Sequence, residues 1–211
     1  MVYRNKYTFS FTGASALIAE TLVIAEEYER LKDWDKVQKS LLDNNLLNKV
    51  KHATFKREFR EIKKRLSLLT TPQIRLMISG SFDDAKAMIL LSLAKTYTFL
   101  EDFILEVLRN KYSLFDTVLT EADYTRFFNA KSLSNSELGQ ISEATAKKVK
   151  QVIFKLLEQV GLISITKNGR IIKPVLSKQA LEVIILDDPA MLGSFLFSNE
   201  ETLLLQKLKH A

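Results

Sequence analysis

The sequence predicts a mainly α fold, in which a multi-helical N-terminal region is followed by a winged helix-turn-helix with a small β-hairpin and by C-terminal helices. Three observations favour this fold. The 211 residues are 46% hydrophobic, which is enough to bury a sizeable core. Only 6 Gly and 3 Pro leave little material for long flexible linkers. Apolar residues recur at helical spacing along most of the chain, which indicates amphipathic helices packed on a shared core.

Residues 1–118 are predicted to form an N-terminal helical domain. Each helix is indicated by apolar spacing and by cap or breaker residues at its ends. In chain order the predicted segments are residues 13–32, a helix capped by Asp33 or Asp35, a helix with the apolar stripe Phe55, Phe59, Ile62, Leu66 and Leu69, a short helix near 73–78, and a long helix over about 83–110.

Residues 119–176 are predicted to form a winged-helix-like domain, because shorter elements begin at Thr120. Three helices are expected before a hairpin that turns at Asn168-Gly169, a dipeptide that suits a type I′ turn. In the third helix, apolar residues at i, i+3, i+4, i+7, i+8 and i+11 starting from Val149 define the buried face. Residues 177–211 are expected to form a helical tail that packs on the rest.

Positive charge is concentrated in two segments. The chain carries a net charge of +6, yet residues 49–65 and residues 145–173 each carry +6. The remaining residues therefore carry −6. Such clustering is the pattern expected of a protein with two basic surfaces, and basic surfaces attract nucleic acid.

The first candidate nucleic-acid site lies in the winged-helix-like domain. In a winged helix-turn-helix, the N-terminal half of the third helix enters the major groove and the hairpin contacts the flanking backbone. The residues predicted on the helix are Thr145, Lys147, Lys148, Gln151 and Lys155, and those predicted on phosphate are Lys167, Asn168 and Arg170. Two alternatives remain open: a lysine-rich face can simply be solvated, and winged helices also serve as protein-interaction modules.

The second candidate site lies on the helix with the phenylalanine stripe. Arg57, Arg60 and Lys64 fall at i, i+3 and i+7 opposite that stripe, so they form a ridge that could follow a phosphate backbone. The alternative is a solvated helix face, in which Glu58 and Glu61 pair with these cations at i, i+3 and i+4.

An enzyme is not expected from the available side chains. The chain has no Cys, and its only histidines are His52 and His210, so thiol catalysis, a Ser-His-Asp triad and a His-rich metal site are disfavoured. No Walker or Rossmann glycine pattern occurs. Asp83 and Asp84 could suggest a metal-dependent nuclease, but their position at a helix N-terminus favours capping. We predict no enzymatic activity, no cofactor and no metal.

A cytoplasmic protein is expected. The N-terminal segment lacks an apolar core of secretory length before Glu20, so no signal peptide is predicted. The most apolar internal run, residues 87–108, is interrupted by Lys95 and by three acidic residues. A membrane span needs roughly 20 nearly uninterrupted apolar residues, so this run is predicted to be a buried helix and no membrane partner is expected.

The order of these segments resembles the BrxA family. The resemblance is carried by "YTFSFTGASALIAETLVIAEEY", "DWDKVQKSLLDNNLL", "ATFKREFREIKKRLSLL", "AKTYTFLEDFILEVLRNKY" and "ATAKKVKQVIFKLLEQVGLI", and it spans nearly the whole chain. BrxA is a small accessory protein of BREX bacteriophage-exclusion systems. The resemblance implies a small cytoplasmic helical protein, encoded with a methyltransferase and ATPases, that binds DNA in phage defence and is not itself an enzyme.

The expected function is therefore that of a non-enzymatic accessory protein that binds double-stranded DNA with low sequence specificity. One alternative is an adaptor that docks onto other BREX proteins. RNA is a further candidate ligand, because the family has also been compared with the RNA-binding antitermination protein NusB. The family offers no established functional positions, so the candidate residues rest on charge geometry alone.

Overall fold

Helices account for most of the chain in the computed structural model, which describes residues 7–47 and 52–209. The N-terminal helices are α1 (Ile18–Leu31), α2 (Trp34–Asp43), α3 (His52–Leu66), α4 (Thr71–Ser79), α5 (Phe82–Thr96), α6 (Thr98–Phe103) and α7 (Asn110–Ser113). The later helices are α8 (Glu121–Ser134), α9 (Ser136–Gly139), α10 (Glu143–Gln159), α11 (Lys178–Asp187) and α12 (Asn199–Lys209). Two 3₁₀ helices (Ser10–Gly13 and Pro189–Phe195) and a π-helical segment (Ile104–Arg109) complete the described elements. The mainly helical prediction is confirmed.

Side-chain caps fix where several helices begin. Asp33 accepts hydrogen bonds from the backbone N–H groups of Asp35 and Lys36, which confirms it as the cap of α2. Thr120 and Asp123 form a reciprocal capping box at the start of α8. Such caps satisfy N–H groups that the first helical turn leaves without partners.

The single long helix predicted over 83–110 is interrupted at Tyr97. Tyr97 has φ −123° and ψ 89°, so α5 ends before it and α6 begins after it. The Tyr97 side chain is fully buried, and its hydroxyl accepts a hydrogen bond from Arg65 Nε at 3.0 Å. Local helix propensity would continue the helix through Tyr97. The departure from helical geometry instead places the Tyr97 hydroxyl beside the buried guanidinium of Arg65.

Arg65 is the largest fully buried side chain of the described residues, with 1% of its surface exposed. Its guanidinium donates to the carbonyl oxygens of Ser15 (3.0 Å), Ala16 (3.3 Å) and Ala14 (3.3 Å). Tyr97 in turn donates to the buried carboxylate of Glu61. The network ties the segment before α1 to the C-terminal end of α3, and burial raises the pKa of Tyr97.

No strand forms in the part of the chain that the structure describes, so the predicted β-hairpin is wrong. Two isolated antiparallel bridges occur, Val118 with Arg170 and Ile163 with Ile171. The backbone N–H groups of Leu162 and Ile163 both donate to Leu157 at the end of α10, at 2.8 and 3.3 Å. The two arms are joined by the hydrogen bonds from Ser164 N–H to the Arg170 carbonyl (3.0 Å) and from Ile172 N–H to the Leu162 carbonyl (2.8 Å), and the rest of the wing is a loop.

One hydrophobic core runs from Phe11 to Leu196 and includes residues of all three predicted segments. Phe103 of α6 lies 5.1 Å from Phe127 of α8 and 6.3 Å from Phe154 of α10, measured between ring centroids. The division into domains 1–118, 119–176 and 177–211 therefore remains a prediction, and the segments share their apolar interior.

Polar contacts also join the segments. Lys131 of α8 donates to Asp102 of α6 at 3.0 Å, and Asp102 accepts a second hydrogen bond from the Tyr7 hydroxyl at 2.6 Å. Toward the C-terminus, Gln73 of α4 donates to the carbonyl oxygen of Val183 in α11 at 3.0 Å.

Within residues 7–47 and 52–209, no helix is both long and apolar enough to span a membrane.

We predict that Arg65→Met lowers the free energy of unfolding by about 3–5 kcal/mol, because it leaves buried acceptors without their charged donor. Urea unfolding followed by circular dichroism measures the change. The control is Arg75→Met, since the Arg75 side chain is 64% exposed and pairs with Glu29. An exposed ion pair contributes less than about 1 kcal/mol, so equal losses in the two variants would contradict the structural role given to Arg65.

Candidate nucleic-acid interface

The exposed face of α10 is the one that the sequence predicts. Ser142 caps the helix by accepting from the Thr145 N–H at 3.2 Å. Val149, Val152, Ile153, Leu156 and Leu157 are buried, whereas the predicted contact residues Lys147, Lys148, Gln151 and Lys155 are exposed. The spacing of apolar residues thus fixed correctly which lysines face outward.

A groove of about 580 Å³ runs along this face. Its walls come from α10, from the N-terminus of α8 and from the loop at residues 164–170, named here the basic loop. The lining residues are Glu121, Lys147, Lys150, Gln151, Phe154, Lys155, Glu158, Thr166 and Lys167. Four residues predicted from the sequence, Lys147, Gln151, Lys155 and Lys167, are therefore brought together.

The other predicted residues of this region are exposed but do not line the groove. The Thr145 hydroxyl lies 2.9 Å from the Ser142 hydroxyl at the start of α10. Lys148 follows Lys147 in α10 and is also exposed. In the basic loop, Asn168 and Arg170 are both exposed. The Arg170 backbone forms an antiparallel bridge with Val118, which ties the basic loop to the segment before α8.

The charge inside the groove is mixed. Lys147, Lys150, Lys155 and Lys167 are opposed by two glutamates, Glu121 and Glu158. The Lys150 ammonium donates to the Glu121 carboxylate at 2.5 Å. The hydrogen bond and charge of Lys150, followed by the charge of Lys167, hold the pKa of Glu121 below its usual value. The groove is basic overall, with a carboxylate held inside it.

The turn in the basic loop differs from the predicted type I′ turn. Asn168 has φ 51°, but Gly169 is not among the residues with positive φ, whereas a type I′ turn requires positive φ at both positions. Glycine is needed at 169 for another reason. A Cβ atom there would lie 2.1 Å from the carbonyl oxygen of Ile165, so only glycine permits this close approach of the backbone.

The second predicted site lies on α3. Arg57, Arg60 and Lys64 are exposed, and the Lys64 ammonium lies 5.2 Å from the centroid of the Tyr97 ring. Glu61 is buried and accepts from Ser10 and Tyr97, so it does not act as an exposed partner of this ridge. Two further contributors to the basic segment, Lys49 and Lys51, lie outside the described residues.

Helices α3 and α10 both pack against the 3₁₀ helix Ser10–Gly13. Arg57 extends beside Gly13, whose Cβ position would be 3.5 Å from the arginine Cδ. At the other side, the Ala16 N–H donates to Gln159 at the end of α10, at 3.0 Å. The structure thus places both basic helices around one N-terminal segment.

Sequence reasoning missed five groove residues: Glu121, Lys150, Phe154, Glu158 and Thr166. Lys150 had a signal, since it lies one helical turn after Lys147. Glu121 had none, because it is 29 residues away from Lys150 and becomes its neighbour only when α8 packs beside α10. Phe154 lies at i+5 from Val149, outside the apolar spacing that defines the buried face, so that spacing assigns it to neither the core nor the groove.

Of the two acidic residues at the start of α5, Asp84 takes part in the capping that the sequence favours. Asp84 accepts from the backbone N–H and hydroxyl of Ser81 and from the hydroxyl of Ser177. Asp83 pairs with Lys86 at 2.7 Å. Among the residues described, no group of three or more His, Cys, Asp or Glu side chains is arranged to hold a metal ion.

These features define a class of protein: a mainly helical chain with a lysine-lined groove on one exposed helix. The chain belongs to the BrxA family, whose model matches residues 5–186. It is similar to the BREX protein BrxA of Bacillus cereus (strain H3081.97), with 31% identity over 121 residues, or 57% of this chain and 60% of that relative. The matched region therefore spans less than two thirds of the relative's length.

A solved structure shares the fold. The crystal structure of an uncharacterized protein from Magnetospirillum magneticum superposes with a TM-score of 0.79, and the match covers 91% of this chain and 98% of that one. The two sequences are 18% identical, so the similarity concerns architecture and carries no statement about function.

We predict that Gly169→Ala lowers the free energy of unfolding by roughly 1–3 kcal/mol, because the new methyl group clashes with the Ile165 carbonyl and the loop must shift. Gly139→Ala is the matched control, since its Cβ would lie an ordinary 3.8 Å from the Ser132 carbonyl oxygen. Thermal unfolding of both variants tests the difference. Equal stability of the two would show that the basic loop tolerates a side chain at 169.

Proposed function

We propose that the protein is a non-enzymatic DNA-binding accessory protein of a BREX phage-defence system, acting in the cytoplasm on duplex DNA. Membership of the BrxA family and the name of the Bacillus cereus relative support the defence role. The order α8, α9, α10 and basic loop is that of a helix-turn-helix with a loop in place of the hairpin. In this proposal α10 enters the DNA groove and the basic loop contacts the adjacent backbone.

The observation that carries the proposal is the convergence of four lysines on one groove, three from α10 and Lys167 from the basic loop. Each ammonium is a point charge that can bind phosphate, and phosphate contacts carry no sequence information. Gln151 is the groove residue best suited to reading a base, through the bidentate contact that glutamine makes with adenine. Binding is therefore expected to depend strongly on salt and weakly on sequence.

The ridge on α3 is proposed as a secondary contact. Arg57 and Arg60 are exposed and add positive charge beside the N-terminal segment that also supports α10. In this proposal, a duplex that extends beyond the groove also contacts the α3 ridge. Charge reversal on α3 tests this point separately from the groove.

We predict that reversing the charge of three groove lysines, Lys147→Glu, Lys155→Glu and Lys167→Glu together, weakens duplex binding at least about 10-fold at low salt. Losing three phosphate contacts should reduce the slope of log affinity against log salt by about 2.7, since each contact contributes roughly 0.9. Fluorescence anisotropy with labelled duplexes of two unrelated sequences measures both quantities.

The matched control reverses three exposed lysines outside the groove, Lys39, Lys178 and Lys207, which gives the same change in net charge. An equal loss of affinity in this control would mean that overall charge, and no particular surface, determines binding.

A third variant with Arg57, Arg60 and Lys64 reversed reports on the α3 ridge. Single-stranded DNA and RNA of equal length, titrated beside the duplex, decide which nucleic acid is preferred.

A second candidate function is that of an adaptor for other BREX proteins. The observation that favours it is a pair of apolar residues after α7, where Leu114 is 76% exposed and Phe115 is 92% exposed. Phe115 also has φ 59°, a conformation that favours glycine. Co-purification with partner proteins that survives nuclease treatment, together with no binding of free DNA, would support the adaptor and overturn the proposed DNA binding.

A further inference from the structure

Glu121 lies at the mouth of the basic groove, among the lysines proposed to bind phosphate. It is the first residue of α8, and its carboxylate accepts from the Lys150 ammonium at 2.5 Å. The Glu121 side chain is 60% exposed, so it is held at the mouth of the groove and not in the core. Lys167 of the basic loop acts on the same carboxylate through its charge.

A carboxylate and a phosphodiester interact with these lysines in the same way. Both are anions whose oxygens accept hydrogen bonds from an ammonium group. While Glu121 holds Lys150, that lysine is turned toward α8 and its charge is largely neutralised. A phosphate that enters the groove must either replace the carboxylate or bind beside it against its repulsion.

We propose that Glu121 sets the affinity of the groove by competing with DNA phosphate for Lys150, and that it is displaced when nucleic acid binds. This inference rests on the proposed DNA binding and deepens it by assigning an inhibitory role to one residue of the groove. Glu121 swings out toward solvent on binding, which its exposure permits, and Lys150 then contacts phosphate.

A structural role for Glu121 leads to different expectations. An acidic residue in the first turn of a helix interacts favourably with the helix dipole, so its neutralisation alone would lower stability slightly and leave DNA affinity unchanged. A role through net charge alone is also distinct, because any exposed glutamate would then have the same effect. Two matched variants separate these possibilities from competition at Lys150.

The test is Glu121→Gln, measured by anisotropy with duplex DNA across a range of salt concentrations. Removing the competing carboxylate should increase the affinity about two- to five-fold at low salt. The salt slope should stay unchanged, because Lys150 contacts phosphate in both complexes. Combining Glu121→Gln with Lys150→Gln should remove the gain, because the lysine that the carboxylate restrains is then absent.

The control is Glu182→Gln. Glu182 pairs with Lys178 at 4.0 Å on α11, which contributes no residue to the groove, and its neutralisation changes the net charge equally. An equal gain in the Glu121→Gln and Glu182→Gln variants, or a gain that persists without Lys150, would overturn the inference while leaving DNA binding intact. Failure of the unaltered protein to bind any duplex would overturn the proposed function, and the inference with it.

Discussion

Arg65 carries its charge into the core at the C-terminal end of α3, where it is shielded from water. A buried guanidinium is tolerated only when its donors are satisfied, and here three backbone carbonyls and the Tyr97 hydroxyl satisfy them. Two features follow from this requirement. The chain at 14–16 must turn its carbonyl groups inward, and the helix that would run through Tyr97 must break.

The same N-terminal segment supports the candidate interface. Its carbonyls face Arg65, while the Ala16 N–H donates to Gln159 at the end of α10. The 3₁₀ helix Ser10–Gly13 packs on both α3 and α10. A charge buried in α3 therefore helps to determine where α10 lies, and with it the direction of the exposed lysines.

The groove on α10 contains both positive and negative side chains. Lysines from the helix and from the basic loop supply the positive charge, while Glu121 and Glu158 reduce it. The four lysines outnumber the two glutamates, so the groove keeps a net positive charge. The loop that replaces the predicted hairpin still delivers Lys167 to the groove, because Gly169 allows its backbone to fold closely on Ile165.

The amino-acid sequence was sufficient to predict the helical class and the buried face of α10, and it narrowed the cap of α2 to Asp33 or Asp35. Each of these depends on residues within one or two turns of each other. Three other features depend on how the helices pack: the break at Tyr97, the absence of strands from the described residues, and the pairing of Glu121 with Lys150. These features join residues far apart in the chain, and their energies come from burial and from distances that local periodicity does not contain.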